Sequence, residues 1–422
     1  MGNETRELHR WAELHRRAPP KNDRSGGRRE PLKIVSTGAD KAGGPRVLFV
    51  AEAFGGGMLE ITRMQAEGLA RIGFGVGIAY GRRPETPVDI RAFVDESVEL
   101  IPLPWTDRSL SAQVRAQRSL RRVVRDWRPD LLHLMSSFAG LHGVLAASGT
   151  PTVYTPQAYA FTMMSEPVAK RWIYLITESF VAGSVDLIGA CSLSEGEQAR
   201  SLPGSTAVAV VPNGIDELSR HRLRPPGIID KDLTVVAIGR PLPQRQPEAC
   251  ARILSAVGKR GQVRWLGGGR DNSPGTRALN DAGIPMTGWM SREKTLEALS
   301  ESTIYLHWTA WDGLSLSVLE AMALDVIVVA SDIGPNREVL GPDQVCPSER
   351  EATNLIRSLL QDADLRKRFL QNQHQRRRCY GADAMVQRWA SIYESLLGRT
   401  RAVALAHPER SEPRSHPLRD RR

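Results

Sequence analysis

The chain has 422 residues, 41% hydrophobic and 25% charged, with four cysteines and a formal net charge of +10. That composition excludes a disordered, collagenous or disulfide-stapled protein, and at roughly 150 residues per domain it points to two domains plus tails. The charge is unevenly placed: residues 1–45 hold ten Lys and Arg against six Asp and Glu, residues 399–422 seven against three, and the body between is nearly balanced. Both basic ends, 1–45 and 399–422, are therefore predicted to be disordered tails. A body without zinc-finger, RRM or basic-zipper pattern predicts no specific nucleic-acid binding. No apolar run approaches the roughly 18 to 20 residues that span a bilayer, and the first thirty residues lack a signal-peptide core. Widely spaced Cys191, Cys250, Cys346 and Cys379 argue against a zinc site or disulfide frame and for a reducing cytosol.

The ordered part opens at Arg46–Ala51, a short apolar run between Gly43-Gly44-Pro45 and Gly55-Gly56-Gly57 that reads as a buried strand. Leu59, Met64, Leu69 and Ile72 recur at helical spacing, and a strand follows at Val76–Tyr80. Strand, glycine loop, helix, strand is the opening unit of a doubly wound sheet. The alternation continues with a helix near 110–127, a strand at Leu131–Met135, a helix near 139–148 and a strand at Thr152–Thr155. A helix near 166–181 and strands at Leu187–Cys191 and Val208–Val211 complete it. Pro212-Asn213-Gly214 turns the chain, and 214–232, polar with Pro225-Pro226, reads as a linker. A second alternation runs from Thr234–Ile238 through Val263–Leu266, Thr303–His307 and Val326–Ala330 to a last helix at 384–398. The prediction is α/β, with two Rossmann-like domains, 46–213 and 233–383, facing a cleft of the kind that holds ligands.

Two stretches at the carboxyl ends of predicted strands carry the chemistry. Within Tyr305–Leu340 a strand enters a loop holding Asp312 and Gly313, and a helix begins near Ser315 or Ser317. The amides of Gly313, Leu314 and Ser315 at that helix N-terminus make a natural anion site. Glu320 follows Asp312 by eight residues, so two acids flank the turn. The same residues also fit a capping box, Ser317-Val-Leu-Glu320, and an ordinary Asp-Gly turn. At 238–245, Arg240 and Arg245 in a Pro-rich loop suit a bidentate clamp on a diphosphate or, equally, two surface arginines. The glycine loops Gly55–Gly57 and Gly267–Gly269 each follow a strand, as many tight turns do. No metal-binding pattern, GxSxG or HExxH occurs, and His133 and His142 have no partner spacing. No metal and no organic cofactor is predicted.

Together these residues resemble the family-4 retaining glycosyltransferases of the GT-B fold, over about residues 46–398 and in the family's order. The motifs are GGG at 55–57, CSLSE at 191–195, PNGID at 212–216, IGRPLP at 238–243, LGGG at 266–269, DGLSLSVLEAMA at 312–323 and VVASDIGPNRE at 328–338. AYGRRPETP at 79–87 and VYTPQAYAF at 153–161 resemble the branch that builds bacterial surface polysaccharides. The resemblance implies a nucleotide-diphosphate-sugar co-substrate held mainly by the second domain. It puts Arg240 and Arg245 on the diphosphate, Glu320 on the ribose, Asp312 near the sugar hydroxyls, and the amides of Gly313, Leu314 and Ser315 on the β-phosphate and sugar. Gly55, Gly56 and Gly57 approach the diphosphate from the first domain beside the acceptor, and the last helix crosses back to that domain. Four places depart from the family: Asp312 replaces Glu, Arg245 replaces Lys, Leu324-Asp325 replaces a small residue and Gly, and Gln157 replaces His. Glutamine hydrogen-bonds a sugar hydroxyl but carries neither proton nor charge.

The implied reaction is metal-independent transfer with retention, resting on stabilisation of the leaving diphosphate rather than on a carboxylate nucleophile. The implied acceptor is a sugar or a polyprenyl-diphosphate-linked intermediate of extracellular or capsular polysaccharide. That places the protein in the cytoplasm, in peripheral contact with anionic membrane. The helix near 110–127 suits such contact, with Arg115, Arg118, Arg122 and Arg125 on one face and Leu110, Val114, Val124 and Trp127 opposite. Met163, Met164, Lys170, Arg171 and Trp172 offer a second patch, and a solvated helix packed on the sheet explains the same pattern. The alternatives are a catalytically weak homologue that binds nucleotide sugars, a soluble small-molecule glycosyltransferase and a nucleotide-sugar epimerase.

Overall fold

The computed structural model describes residues 43–107, 109–216, 233–258, 262–269 and 273–406. Most of the predicted tails and linker, and Arg270, lie outside the described residues. Two parallel sheets carry the fold. The first contains β1 (Arg46–Ala51), β2 (Gly75–Gly81), β3 (Val98–Leu103), β4 (Leu131–Met135), β5 (Thr152–Thr155), β6 (Leu187–Ala190) and β7 (Ala207–Val210), in the order β3-β2-β1-β4-β5-β6-β7. The second contains β8 (Val235–Ile238), β9 (Val263–Leu266), β10 (Ile304–His307), β11 (Ile327–Ser331) and β12 (Val345–Cys346), in the order β12-β11-β10-β8-β9. β4 and β11 are buried along their whole length because helices cover both sheet faces, hence their unbroken apolar sequence.

The first sheet is connected by α1 (Gly56–Arg71), α2 (Leu110–Trp127), α3 (Ser137–Val144), α4 (Val168–Ala182) and α5 (Leu193–Ser201). The second carries α6 (Pro247–Val257), α7 (Pro274–Asp281), α8 (Arg292–Ser300), α9 (Leu316–Ala323), α10 (Gly334–Leu340), α11 (Glu349–Gln361) and α12 (Ala363–Arg377). One core joins Leu48, Leu132 and Leu134 to Ala116 and Leu120 of α2 and Val181 of α4. Another joins Val235, Trp265 and Ile304 to Leu254 of α6 and Ile356 of α11.

A final helix, α13 (Ala382–Ala406), lies on α1 and on the first sheet. The Tyr393 hydroxyl meets His133 Nδ1 at 2.6 Å, and the Trp389 ring lies 4.7 Å from the His133 ring. Burial pushes His133 down to about 3, so it is a neutral packing residue. The outgoing and returning crossings between the sheets are tied together. Ile215 donates to the Tyr380 carbonyl at 2.8 Å, and Ala382 donates to the Ile215 carbonyl at 3.1 Å.

Several expectations are corrected. β3 and β12 were not predicted: β3 is an edge strand that contains Pro102, which an edge tolerates, and β12 has two residues. Residues 399–406, predicted as tail, continue α13, since the Arg, Ala and Leu there favour helix and the first proline comes at 408. Gly43–Pro45 also belong to the fold, the Pro45 carbonyl accepting from Gly75 at 3.0 Å. The buried face of α2 is Ala112, Ala116, Leu120 and Val124, whereas Leu110 and Val114 are exposed. The buried residues repeat every fourth position, and Leu110 and Val114, two positions off that row, fall roughly on the opposite side of the helix.

Candidate active site

In a parallel sheet every strand points its carboxyl end to the same edge, and in such folds that edge binds ligands. Beyond β8 the chain makes a 3₁₀ turn, Pro243–Arg245, before α6. Three bonds hold that turn to the loop after β10. The Gln244 main-chain carbonyl accepts from Ala310 and from the Thr309 hydroxyl, both at 2.9 Å, and the Gln244 side-chain Nε2 donates to the Trp311 carbonyl at 3.0 Å. Arg245 Nη1 is thereby set 2.9 Å from Asp312 Oδ2. The other Asp312 oxygen accepts from the Gly313 amide at 3.0 Å.

A hydrogen-bonded chain backs this pair. Ser315 Oγ lies 3.0 Å from Ser317 Oγ, Ser317 Oγ 2.8 Å from the Tyr305 hydroxyl, and that hydroxyl 2.8 Å from His307 Nδ1. His307 Nε2 is buried without a hydrogen-bond partner among the described residues, 3.6 Å from Asp312 Oδ2. Burial and the nearby Arg245 guanidinium push His307 down to about 3, against the pull of Asp312, so the imidazole is neutral.

The first sheet meets this turn at the end of β5. Gln157 and Ala158 have φ of +56° and +91°, left-handed values that cost on the order of 1–3 kcal/mol each. Glu195, on α5, holds them there: its carboxylate accepts from the Ala158 and Cys191 amides, both at 2.6 Å. The Gln157 side-chain amide pairs reciprocally with that of Asn213, 2.9 Å in each direction. Asn213 also donates to the Leu314 carbonyl at 3.1 Å, joining the two sheets' loops. Gly313 sits against this loop so closely that a Cβ there would lie 3.0 Å from the Ala158 nitrogen and 2.9 Å from Cys191 Sγ.

Glu320 is buried on α9 but makes no capping box, because Ser315 is the N-cap and Ser317 lies inside the helix. Its carboxylate accepts from Arg292 Nη2 at 2.7 Å. Arg292 Nε also lies 3.5 Å from Glu60 of α1, and Arg63 binds Glu60 at 3.1 Å and Glu67 at 2.6 Å. The acid expected on a ribose thus ends a chain of alternating charges linking the two sheets. Burial pushes Glu320 up to about 7, with Arg292 opposing and Glu60 adding to the shift.

The structure therefore brings Arg245, Asp312, Gly313, Leu314 and Gln157 to one junction and sets Glu320 in a neighbouring ion cluster. Arg240 is exposed, its carbonyl accepting from Leu242 at 2.8 Å and its side chain bound to none of the described residues. Gly55 caps α1, and Gly56 (φ +55°) and Gly57 face open space. The Gly313 amide is already bound by Asp312, and Leu314 and Ser315 follow it at the N-terminus of α9. Glu60 and Arg292 escaped the sequence reading because both lie on helices away from the strand-end motifs, and His307, the last residue of β10, because no spacing marked a partner for it. Glu195 and Asn213 stood in quoted motifs without a role. Among the described residues no three His, Cys, Asp or Glu group to hold a metal ion.

Residues 56–214 match the family model described as Glycosyl transferase 4-like domain, and residues 276–376 the one described as Glycosyl transferases group 1. No curated protein sequence matches the chain significantly. Among solved structures, sucrose-phosphate synthase from Thermosynechococcus elongatus has a TM-score of 0.70 at 16% identity, covering 84% of this chain and 100% of that one. HepE of Anabaena, in complex with UDP and glucose, has a TM-score of 0.68 at 15% identity, covering 83% and 100%. The lipopolysaccharide outer core galactosyltransferase WaaB, in its apo form, has a TM-score of 0.57 at 15% identity, covering 83% and 99%. At such identities the likeness is one of fold, while the two family models name the activity. With a 4-like domain followed by a group 1 domain on two facing parallel sheets, the chain belongs to the glycosyltransferases of the GT-B fold.

Proposed function

We propose that the chain transfers a sugar from a nucleoside-diphosphate sugar with retention of configuration, to a lipid-linked intermediate of a bacterial surface polysaccharide at the cytoplasmic face of the membrane. The observation that carries the donor half is the Arg245–Asp312 pair, fixed at the edge where the two sheets' loops meet. As the sugar–phosphate bond breaks, charge grows on the diphosphate. Arg240, Arg245 and the amides of Leu314 and Ser315 stabilise it, so the protein itself supplies the positive charge. Asp312 exchanges Arg245 for donor sugar hydroxyls when the diphosphate arrives, and Glu320 takes the ribose. Retention is supported by the state of the two acids at the junction. Glu195 is spent on two backbone amides, and Asp312 keeps the Gly313 amide and takes up sugar hydroxyls, so neither serves as a free nucleophile. The acceptor reading rests on the family resemblance of 79–87 and 153–161 and on the fold shared with the lipopolysaccharide galactosyltransferase.

The HepE structures hold UDP or UDP-glucose, so uridine donors are tried first, beside GDP, dTDP and ADP sugars. Arg240→Ala is expected to lower turnover roughly 10²–10³-fold, and NMR of the product should show the donor's anomeric configuration. Unchanged turnover in Arg240→Ala, or an inverted product, refutes the reading. A nucleotide-sugar binder without turnover is the second reading, favoured by Glu320 being held by Arg292 and Gln157 by Asn213. Nucleotide-induced stabilisation without product would select it.

A further inference from the structure

We infer that the outer face of α4 is a docking ridge for an anionic lipid bilayer. Thirteen large apolar side chains are exposed among the described residues, and six lie on or just before this one helix. Met164, Val168, Trp172, Ile176 and Phe180 recur every fourth residue, with Ile173 beside them, each 50–69% exposed. A spacing of four keeps them on one side of the helix, while Glu178, Val181 and Ala182 on the other side are buried. Scattered exposed apolar residues are ordinary, but a continuous row of this length marks a surface that is covered in use. A tryptophan among aliphatic chains is suited to the boundary between headgroups and acyl chains.

The charge around the ridge identifies what covers it. α2, α3 and α4 lie side by side on one face of the first sheet: Gln117 donates to the His142 carbonyl at 3.3 Å, and Ser137 donates to Glu178. α2 carries Arg115, Arg118, Arg121, Arg122 and Arg125 against a single acid, Asp126. Arg125 is paired with Asp126 and Arg121 is bound to the Leu145 carbonyl, while Arg115, Arg118 and Arg122 stand exposed. An apolar row with exposed arginines two helices away in the same layer complements a surface that is apolar inside and negative outside. A second copy of the chain would instead bring the same arginine-bearing layer against itself. The ridge also leads into the cleft. Arg171 of α4 donates to the Phe161 carbonyl at 3.0 Å, and Phe161 lies four residues beyond Gln157. Docking here brings the junction loop to the membrane surface. The inference goes beyond the proposed transfer and holds whether or not the acceptor is lipid-linked.

The test is flotation of the full chain with vesicles of phosphatidylcholine containing about 30% phosphatidylglycerol, against phosphatidylcholine alone, with no substrate present. Wild type is expected to float with the anionic vesicles, and Trp172→Glu/Ile176→Glu to lose at least tenfold in partitioning. Val88→Glu, an exposed site off the ridge, should float as wild type does. The basic chain ends are common to all three proteins and cannot separate them. Equal flotation of the double variant and wild type overturns the inference. So does light scattering that shows a dimer broken by the double variant together with no vesicle binding, which would make the occupant a second copy.

Discussion

Glu178 shows how one buried acid makes stability depend on pH. Its carboxylate accepts from the Tyr154 hydroxyl at 2.7 Å and from Ser137, inside the first sheet's helical layer. Burial outweighs both bonds and pushes it from 4.5 up to about 7. The native state therefore keeps a proton between pH 4.5 and 7 that the unfolded chain has released, and stability falls as pH rises through that window. The shift is worth on the order of 3 kcal/mol. Glu178→Gln should flatten this slope, measured by urea unfolding at pH 5 and pH 7.5, and an unchanged slope would refute the assignment. Neutral His307 behaves differently: it is down at about 3 and stays uncharged through physiological pH. Its bond to Tyr305 makes it a support for the Asp312 loop rather than a titrating group.

Elements decide how tightly the junction is built. The β10–α9 turn packs on the β5 loop through Gly313, and the buried Cys191 sulfur together with the Gln157–Ala158 backbone lies in the way of any added Cβ. Gly313→Ala should push the turn from Ala158 by a few tenths of an ångström or more and misplace Leu314 and Ser315. Misplacement of that kind costs on the order of 10²-fold in turnover, whereas nucleotide affinity should change much less. Steady-state kinetics beside calorimetric nucleotide binding separate the two, and equal losses in both would show a local unfolding instead. Sequence patterning located this turn well, since a strand followed by Asp-Gly and a helical run is a local signal. It did not reveal the left-handed Gln157–Ala158 loop, because Glu195 imposes that conformation from a separate helix.

Across the whole molecule, the two sheets are joined by the crossings at Ile215 and Tyr380–Ala382, by the Glu60–Arg292–Glu320 chain and by Glu338. Glu338 of α10 accepts from the Leu193 and Ser194 amides, at 2.6 and 2.7 Å, where α5 begins. A carboxylate at a helix N-terminus is favoured by the helix dipole and by the free amides there. Glu338→Ala should leave both cores folded but loosen the closure, seen as faster hydrogen exchange at 192–196 and a larger radius of gyration. Unchanged exchange would assign Glu338 to α10 alone.

The alternation of strand and helix, the split into two sheets and the placement of Arg245, Asp312 and Gln157 at strand ends could all be read from the chain. Each is encoded locally, in the spacing of apolar residues and in turn-forming glycine, proline and asparagine. The partner of Glu320, the role of Asn213 as a bridge, and the outward turn of Trp172 and Ile176 were settled only by tertiary structure. Residues that contact across 28, 56 or 101 positions leave no periodic trace. Which face of an apolar helix stays uncovered depends on how closely its neighbours approach the sheet.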